Sequence, residues 1–196
     1  MLYTNPILAI RRQLNPTMNK IALTLCASSL GLLLLGTSPA AALKETSPSP
    51  VKVKIINSKG EEIGAATLTP KAGAVEVHVE AKGLPPGVHG IHFHETGKCE
   101  KPDFKSAGAH LNPGHKQHGF NNPKGFHAGD LPNIQVKEDG TVVADIVSNQ
   151  VTLEKGAPNS LLKPGGTALV IHEKADDYVT DPAGNSGDRI ACGVIR

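Results

Sequence analysis

Val51-Lys52-Val53-Lys54-Ile55 alternates apolar and charged residues with a period of two, and that alternation decides the fold class. Successive side chains of a strand point to opposite faces, so this stretch has one face for a core and one for water. Further strand candidates are Glu62 to Leu68, Ala74 to Ala81, Gly90 to His94, Ile134 to Lys137, Thr141 to Val147, Thr167 to His172 and Ala191 to Ile195. Those are eight strand candidates, and no ten-residue stretch carries a helical stripe. Glu138-Asp139-Gly140 reads as a hairpin turn between two of them. The composition agrees, with Gly 21 and Pro 15 supplying turns and Trp 0, Tyr 2 and Phe 4 leaving the core to aliphatic residues. We therefore expect an all-β chain, an eight-stranded antiparallel Greek-key sandwich or flattened barrel. Two stretches break the strand rhythm, Glu95 to Pro132 and Glu173 to Ile190, and loops of that length in a small domain usually carry function.

Upstream of Val51 the chain changes character. Arg11, Arg12 and Lys20 precede an apolar run from Ile21 to Leu35 that ends in Ala40-Ala41-Ala42. Residues 1–42 read as a secretory signal peptide: the run falls short of the roughly 20 residues that cross a bilayer, and small residues follow it. A retained anchor stays open, as does a start at Met18. Residues 43–50 (LKETSPSP) read as a linker and 51–196 as the functional domain. Removing the leader turns 20 basic against 18 acidic residues into 17 against 18, a formal charge of −1. No basic run remains, which excludes the electrostatic footprint of a nucleic-acid binder. Stable membrane insertion after cleavage is not expected either. The cleaved chain keeps Cys99 and Cys192, and two cysteines in an exported chain usually form one disulfide, with two buried thiols as the other reading.

Histidine is the unusual residue: nine occur, and seven lie between His89 and His127. His92 and His94 stand at i and i+2 of one strand, so both rings leave the same face about 7 Å apart, suited to one ion. Phe93 between them points to the core. His172 ends a strand on the face of Ala168 and Val170. His92, His94, His110 and His172 make an all-imidazole set suited to copper, while His110, His118, His127 and Asp130 match a tetrahedral zinc set; hard ions would ask for more carboxylates. The ligand count exceeds one site, so two metals are expected. His78 shares a strand face with glutamates and reads as exposed, and His89 reads as a hydrogen-bonded structural residue. His115 is left in solvent, with an alternate-ligand role open. Lys101, Lys105, Lys116 and Lys124 read as solvated loop charges, with an anion-guiding role as the other reading.

Four blocks then carry a specific resemblance: Gly87-Val-His-Gly-Ile-His-Phe-His-Glu95; Gly108-Ala-His-Leu-Asn-Pro113 with Lys116-Gln-His-Gly119; His127-Ala-Gly-Asp-Leu131; and Val170-Ile-His-Glu-Lys-Ala-Asp-Asp177 leading to Gly187-Asp-Arg-Ile-Ala-Cys-Gly-Val194. In order and spacing they resemble the copper,zinc superoxide dismutases of the exported bacterial kind. The resemblance implies copper on His92, His94, His110 and His172 and zinc on His110, His118, His127 and Asp130, with His110 shared. It also implies that Asp176 accepts hydrogen bonds from His92 and His118, that Arg189 draws the anion to copper, and that Cys99 and Cys192 pair. The implied activity is disproportionation of superoxide to dioxygen and hydrogen peroxide by alternating Cu2+ and Cu+. Arg189 and His110 would be the catalytic residues, His110 serving as both ligand and proton donor. Zinc cannot change oxidation state and would be structural. The substrate partner would be the superoxide anion, the location periplasmic or extracellular, and a homodimer stays open. A non-catalytic copper-binding or copper-delivery protein on the same fold is the alternative. Two features depart from the family pattern: Glu173 to Asp188 is short and carries four aspartates, and Asp188 stands directly before Arg189.

Overall fold

The computed structural model describes residues 48–196, so the expected leader and most of the expected linker lie outside the described residues. Nine strands follow one another: β1 (Val51–Asn57), β2 (Glu62–Lys71), β3 (Ala74–Ala81), β4 (Gly87–His89), β5 (Ile91–His94), β6 (Ile134–Val136), β7 (Val142–Ser148), β8 (Thr167–His172) and β9 (Arg189–Ile195). One 3-10 turn, Lys105–Ala107, lies in the first long loop. Seven strands form an antiparallel sheet in the order β5-β8-β9-β1-β2-β3-β7, and β4 pairs with β6 in a two-stranded sheet. Among the described residues no helix is long and apolar enough to cross a membrane.

The count is nine rather than eight because the strand expected at Gly90 to His94 has a short neighbour, Gly87–His89, with a different partner. Gly90 separates them: its N–H donates to the Lys174 carbonyl and its carbonyl accepts from the His172 N–H, both at 2.8 Å. The chain thus leaves β6 as partner and joins β8. The expected turn at Glu138-Asp139-Gly140 closes, with Lys137 N–H donating to the Thr141 carbonyl at 2.8 Å. Its flanking strands do not pair as a simple hairpin, however; β6 goes to β4 and β7 to β3.

Alternation builds the core as expected. Val53, Ile55, Leu68, Val75, Val77, Val79, Ile91, Phe93, Leu169, Ile171 and Ile195 are all buried in one cluster. Each large aliphatic or aromatic side chain so enclosed contributes about 1.5–3 kcal/mol. On β5 and β8 the alternate residues are buried too, and all ten positions of these strands are closed to solvent. A second cluster of Phe104, Ala107, Ala168, Val170 and Cys192 explains this: the first long loop folds back over the outer face of β8 and β9. The Cys99–Cys192 disulfide fastens that loop to β9, with a Cα–Cα distance of 5.8 Å.

Candidate metal centre

The clustered histidines come from an outer sheet face that loops have covered. His92 and His94 leave β5 beside His172 at the end of β8, where β8 and β9 shift register between Ile171 and His172. The first long loop then runs along β5 as an extra, irregular strand. Phe93 N–H donates to the Gly129 carbonyl, Leu111 N–H to the Phe93 carbonyl and Gly129 N–H to the Leu111 carbonyl, each at 2.8 Å. This places His110 opposite His94 and Asp130 opposite His92. The approach requires a glycine, since a Cβ on Gly129 would run into the Phe93 carbonyl oxygen.

Three groups of donor side chains result, two of four members and one, His92 with His118 and Asp176, of three. One nitrogen from each of His92, His94, His110 and His172 lies within 4.8 Å of the others, and one atom from each of His110, His118, His127 and Asp130 forms a second such group. All seven residues are buried. In the second group Asp130 Oδ1 stands 3.0 Å from His110 Nδ1, 3.0 Å from His118 Nδ1 and 3.2 Å from His127 Nδ1. His127 Nδ1 is 3.3 Å from His110 Nδ1. A tetrahedron with edges of this length has its centre about 1.8–2.0 Å from each corner, close to ordinary zinc–nitrogen and zinc–oxygen bond lengths of about 2.0–2.2 Å. In the first group His94 Nε2 and His172 Nε2 are 3.4 Å apart. His92 Nδ1 and His110 Nε2 are buried with no hydrogen-bond partner. Such nitrogens cost about 1–3 kcal/mol each unless a partner satisfies them, and a metal ion is a partner that this donor set could hold. His110 thus offers Nδ1 to one group and Nε2 to the other.

The remaining ring nitrogens fix how the rings sit. Asp176 lies between the groups: His92 Nε2 is 2.8 Å from its Oδ2 and His118 Nε2 is 2.9 Å from its Oδ1. His94 Nδ1 donates to the Gly108 carbonyl at 3.0 Å and His172 Nδ1 to the Gly187 carbonyl at 3.3 Å. Asp176 is held in turn. Tyr178 N–H donates to its Oδ1 at 2.7 Å, Asn133 and the Asp176 backbone exchange two bonds of 2.9 Å, and Asn133 N–H donates to the Tyr178 hydroxyl at 2.7 Å. Gly184, with φ 62, passes so close that a Cβ there would meet Asp176 Oδ1. Asn133 and Tyr178 escaped the sequence reading: Asn133 stands 43 residues from Asp176, and Tyr178, two residues on, meets it through a backbone N–H that nearly any residue type supplies.

Burial first, and then neighbouring positive charge, pushes His92, His110 and His172 down to about 4 and His94 well below the usual imidazole range. These rings are therefore neutral at physiological pH, the form that binds metal. At His118 burial works against the cation, but hydrogen bonds to Asp130 and Asp176 outweigh it and raise the group to about 9. Burial opposes ionisation of Asp130 and Asp176 as well, yet the histidine N–H groups around them hold both well below the usual carboxylate range. The donor set is mainly imidazole, which suits copper and zinc rather than magnesium or calcium.

Arg189, half-buried at the start of β9, reaches the same place. Its Nη1 donates to the Phe104 carbonyl at 2.8 Å and its Nη2 to the Gly108 carbonyl at 2.7 Å, the carbonyl that also accepts from His94. Asp188 is exposed. The Lys174 ammonium lies 4.0 Å from Glu173. Outside the groups, His89 is buried with its nitrogens 2.8 Å from the carbonyls of His172 and Pro85. His78 is half-exposed between Asp145 and Glu80, and His115 is exposed and belongs to none of the groups. Lys101, Lys105, Lys116 and Lys124 are exposed as well, Lys105 being paired with Asp103 at 2.8 Å.

Residues 62–195 match the copper/zinc superoxide dismutase family. The chain is 54% identical over 143 residues to "Superoxide dismutase [Cu-Zn] 1" of Aquifex aeolicus, covering 72% of this chain and 85% of that protein. It is 39% identical over 191 residues to "Superoxide dismutase-like protein YojM" of Bacillus subtilis, covering 91% and 96%. Among solved structures, the copper/zinc superoxide dismutase from Brucella abortus superposes with a TM-score of 0.62 at 30% identity, covering 76% of this chain and all of that one. With the match running from β2 to β9 and taking in both four-membered donor groups and both long loops, the chain belongs to the copper/zinc superoxide dismutase family.

Proposed function

We propose that the two four-membered donor groups are the copper and zinc sites of a working superoxide dismutase, with copper on His92, His94, His110 and His172 and zinc on His110, His118, His127 and Asp130. The observation that carries this is His110, whose two ring nitrogens serve two different groups, one of them three imidazoles drawn around the Asp130 carboxylate. Bound copper supplies the one-electron redox change that converts two superoxide anions and two protons into dioxygen and hydrogen peroxide. The chain's own residues do the rest. Asp176 orients His92 and His118 together. Arg189, anchored on Phe104 and Gly108, holds a fixed positive charge beside His94 and draws in the small anion. His110 Nε2 takes and returns a proton during turnover. The disulfide keeps the covering loop, and with it Arg189's two carbonyl anchors, in place.

The protein is exported to the periplasm or beyond, as residues 51–196 following a removed leader (1–42) and a linker (43–50). It works on superoxide without nucleic acid or stable membrane insertion, and sedimentation of the mature chain decides between monomer and homodimer. Metal analysis together with superoxide decay followed by pulse radiolysis tests the assignment. About one copper and one zinc per chain with fast decay is the expected result. A copper-loaded chain that leaves superoxide decay unchanged would instead be a copper carrier.

A further inference from the structure

Each of the six clustered histidines has a ring nitrogen turned away from one of the donor groups, and most of these are held. Asp176 takes those of His92 and His118, carbonyls take those of His94 and His172, and His110 points one nitrogen into each group. His127 differs. The acceptor facing its Nε2 is Asp181 Oδ1 at 3.9 Å, beyond hydrogen-bond length. That same oxygen accepts the backbone N–H of His118 at 2.7 Å, so one carboxylate adjoins two members of the second group. Asp181 is 45% exposed, whereas Asp176 is 0% exposed. Asp181 and His127 both line a cavity of about 470 Å3, walled also by Glu95, His115, Lys116 and Lys163.

We propose that this cavity is the route by which zinc enters and leaves the second group, that His127 is the ligand that lets go first, and that Asp181 is the positioning residue that holds this corner closed. The inference rests on the zinc assignment above. An ion held by four ligands leaves stepwise, beginning at the ligand whose ring is least constrained. His127 is that ring, and its outer side faces the cavity. Asp181 slows the step through its charge beside His127 and through its bond to the His118 backbone.

The test follows zinc itself, as release from the zinc-loaded protein to a chromogenic chelator and as uptake by the metal-free protein. Asp181→Asn keeps an acceptor for the His118 N–H but loses the charge, and should speed release on the order of threefold; Asp181→Ala loses both and should speed it on the order of tenfold. Asp181→Glu should restore most of the wild-type rate, and copper retention should change in none of them. Lys163→Glu, on the cavity wall, should speed zinc uptake at low salt, while Lys137→Glu, exposed after β6 and outside the cavity, should not. Wild-type release from Asp181→Asn, equal acceleration of zinc and copper loss, or equal effects of the two lysine variants would overturn the route. A wild-type chain that takes up no zinc would overturn the zinc assignment as well, and stoichiometry measured first tells the two failures apart.

Discussion

Asp176 meets three N–H groups with two oxygens: His118 Nε2 and Tyr178 N on Oδ1, His92 Nε2 on Oδ2. Asp176→Asn should therefore place its amide oxygen where two donors converge and turn its NH2 toward His92. Copper affinity should fall about 10–100-fold, with zinc affinity changed less. Competition titrations against chelators selective for each metal check this, and a larger loss of zinc would show that the amide faces the other way. Arg189→Ile removes the fixed charge beside His94 and should slow dismutation roughly tenfold at low salt, equivalent to about 1.4 kcal/mol, while flattening its dependence on ionic strength. Asp188 opposes that charge from an exposed position. Asp188→Ser should raise the low-salt rate and converge with wild type at high salt; a slower variant at low salt would contradict steering by local charge.

At the scale of elements, the covering loop and the β3–β7 pair make separate predictions. The disulfide closes a separation of 93 residues, worth on the order of 4–5 kcal/mol in the chain-entropy model. Reduction should lower the melting temperature and raise amide exchange around Phe104 to Leu111 before the sheet itself opens. Exchange that rises uniformly would deny the loop its separate anchoring. At the other end of the strand order His78 and Asp145 are direct cross-strand partners, with Nδ1 to Oδ1 at 2.6 Å and Glu80 3.1 Å from the other nitrogen. Hydrogen bonds to these carboxylates raise His78 above its ordinary 6.5. A raised value means the folded state holds the proton more tightly. The stabilisation is complete below about pH 6.5 and fades as pH climbs through the folded value. His78→Gln should thus lose a little melting temperature at pH 6 and nothing at pH 9, the effect staying small because the site is open to water.

For the molecule as a whole, metal binding and folding are one equilibrium. The native chain gathers six histidines and Asp130 into closed space and leaves His92 Nδ1 and His110 Nε2 without hydrogen-bond partners. Ions that bind only this arrangement stabilise it by mass action. Chelator-stripped protein should melt about 10 °C or more below the fully loaded form, and zinc alone should recover part of the difference. Identical melting curves would mean that the ions are too weakly held, or bind the unfolded chain equally well, and so do not couple to folding.

Alternation at Val51 to Ile55, with the further strand candidates, was enough to specify an all-β chain and its core face, because the side-chain period of a strand is local. Spacing also marked His92 with His94, and the four motif blocks pointed to His110, His118, His127, His172 and Asp130, since metal chemistry demands those residue types. The split at Gly90 and the divergence of β6 from β7 were not legible, because both depend on which distant strand supplies the hydrogen bonds. The same holds for burial of the outer face of β5 and β8. A strand's own pattern says which side chains share a face, but only the returning loop decides whether that face is wet. Asn133, Tyr178 and Asp181 belong to that remainder. Their work is to hold other residues in place, and a positioning contact leaves no spacing signature when its partners lie tens of residues away.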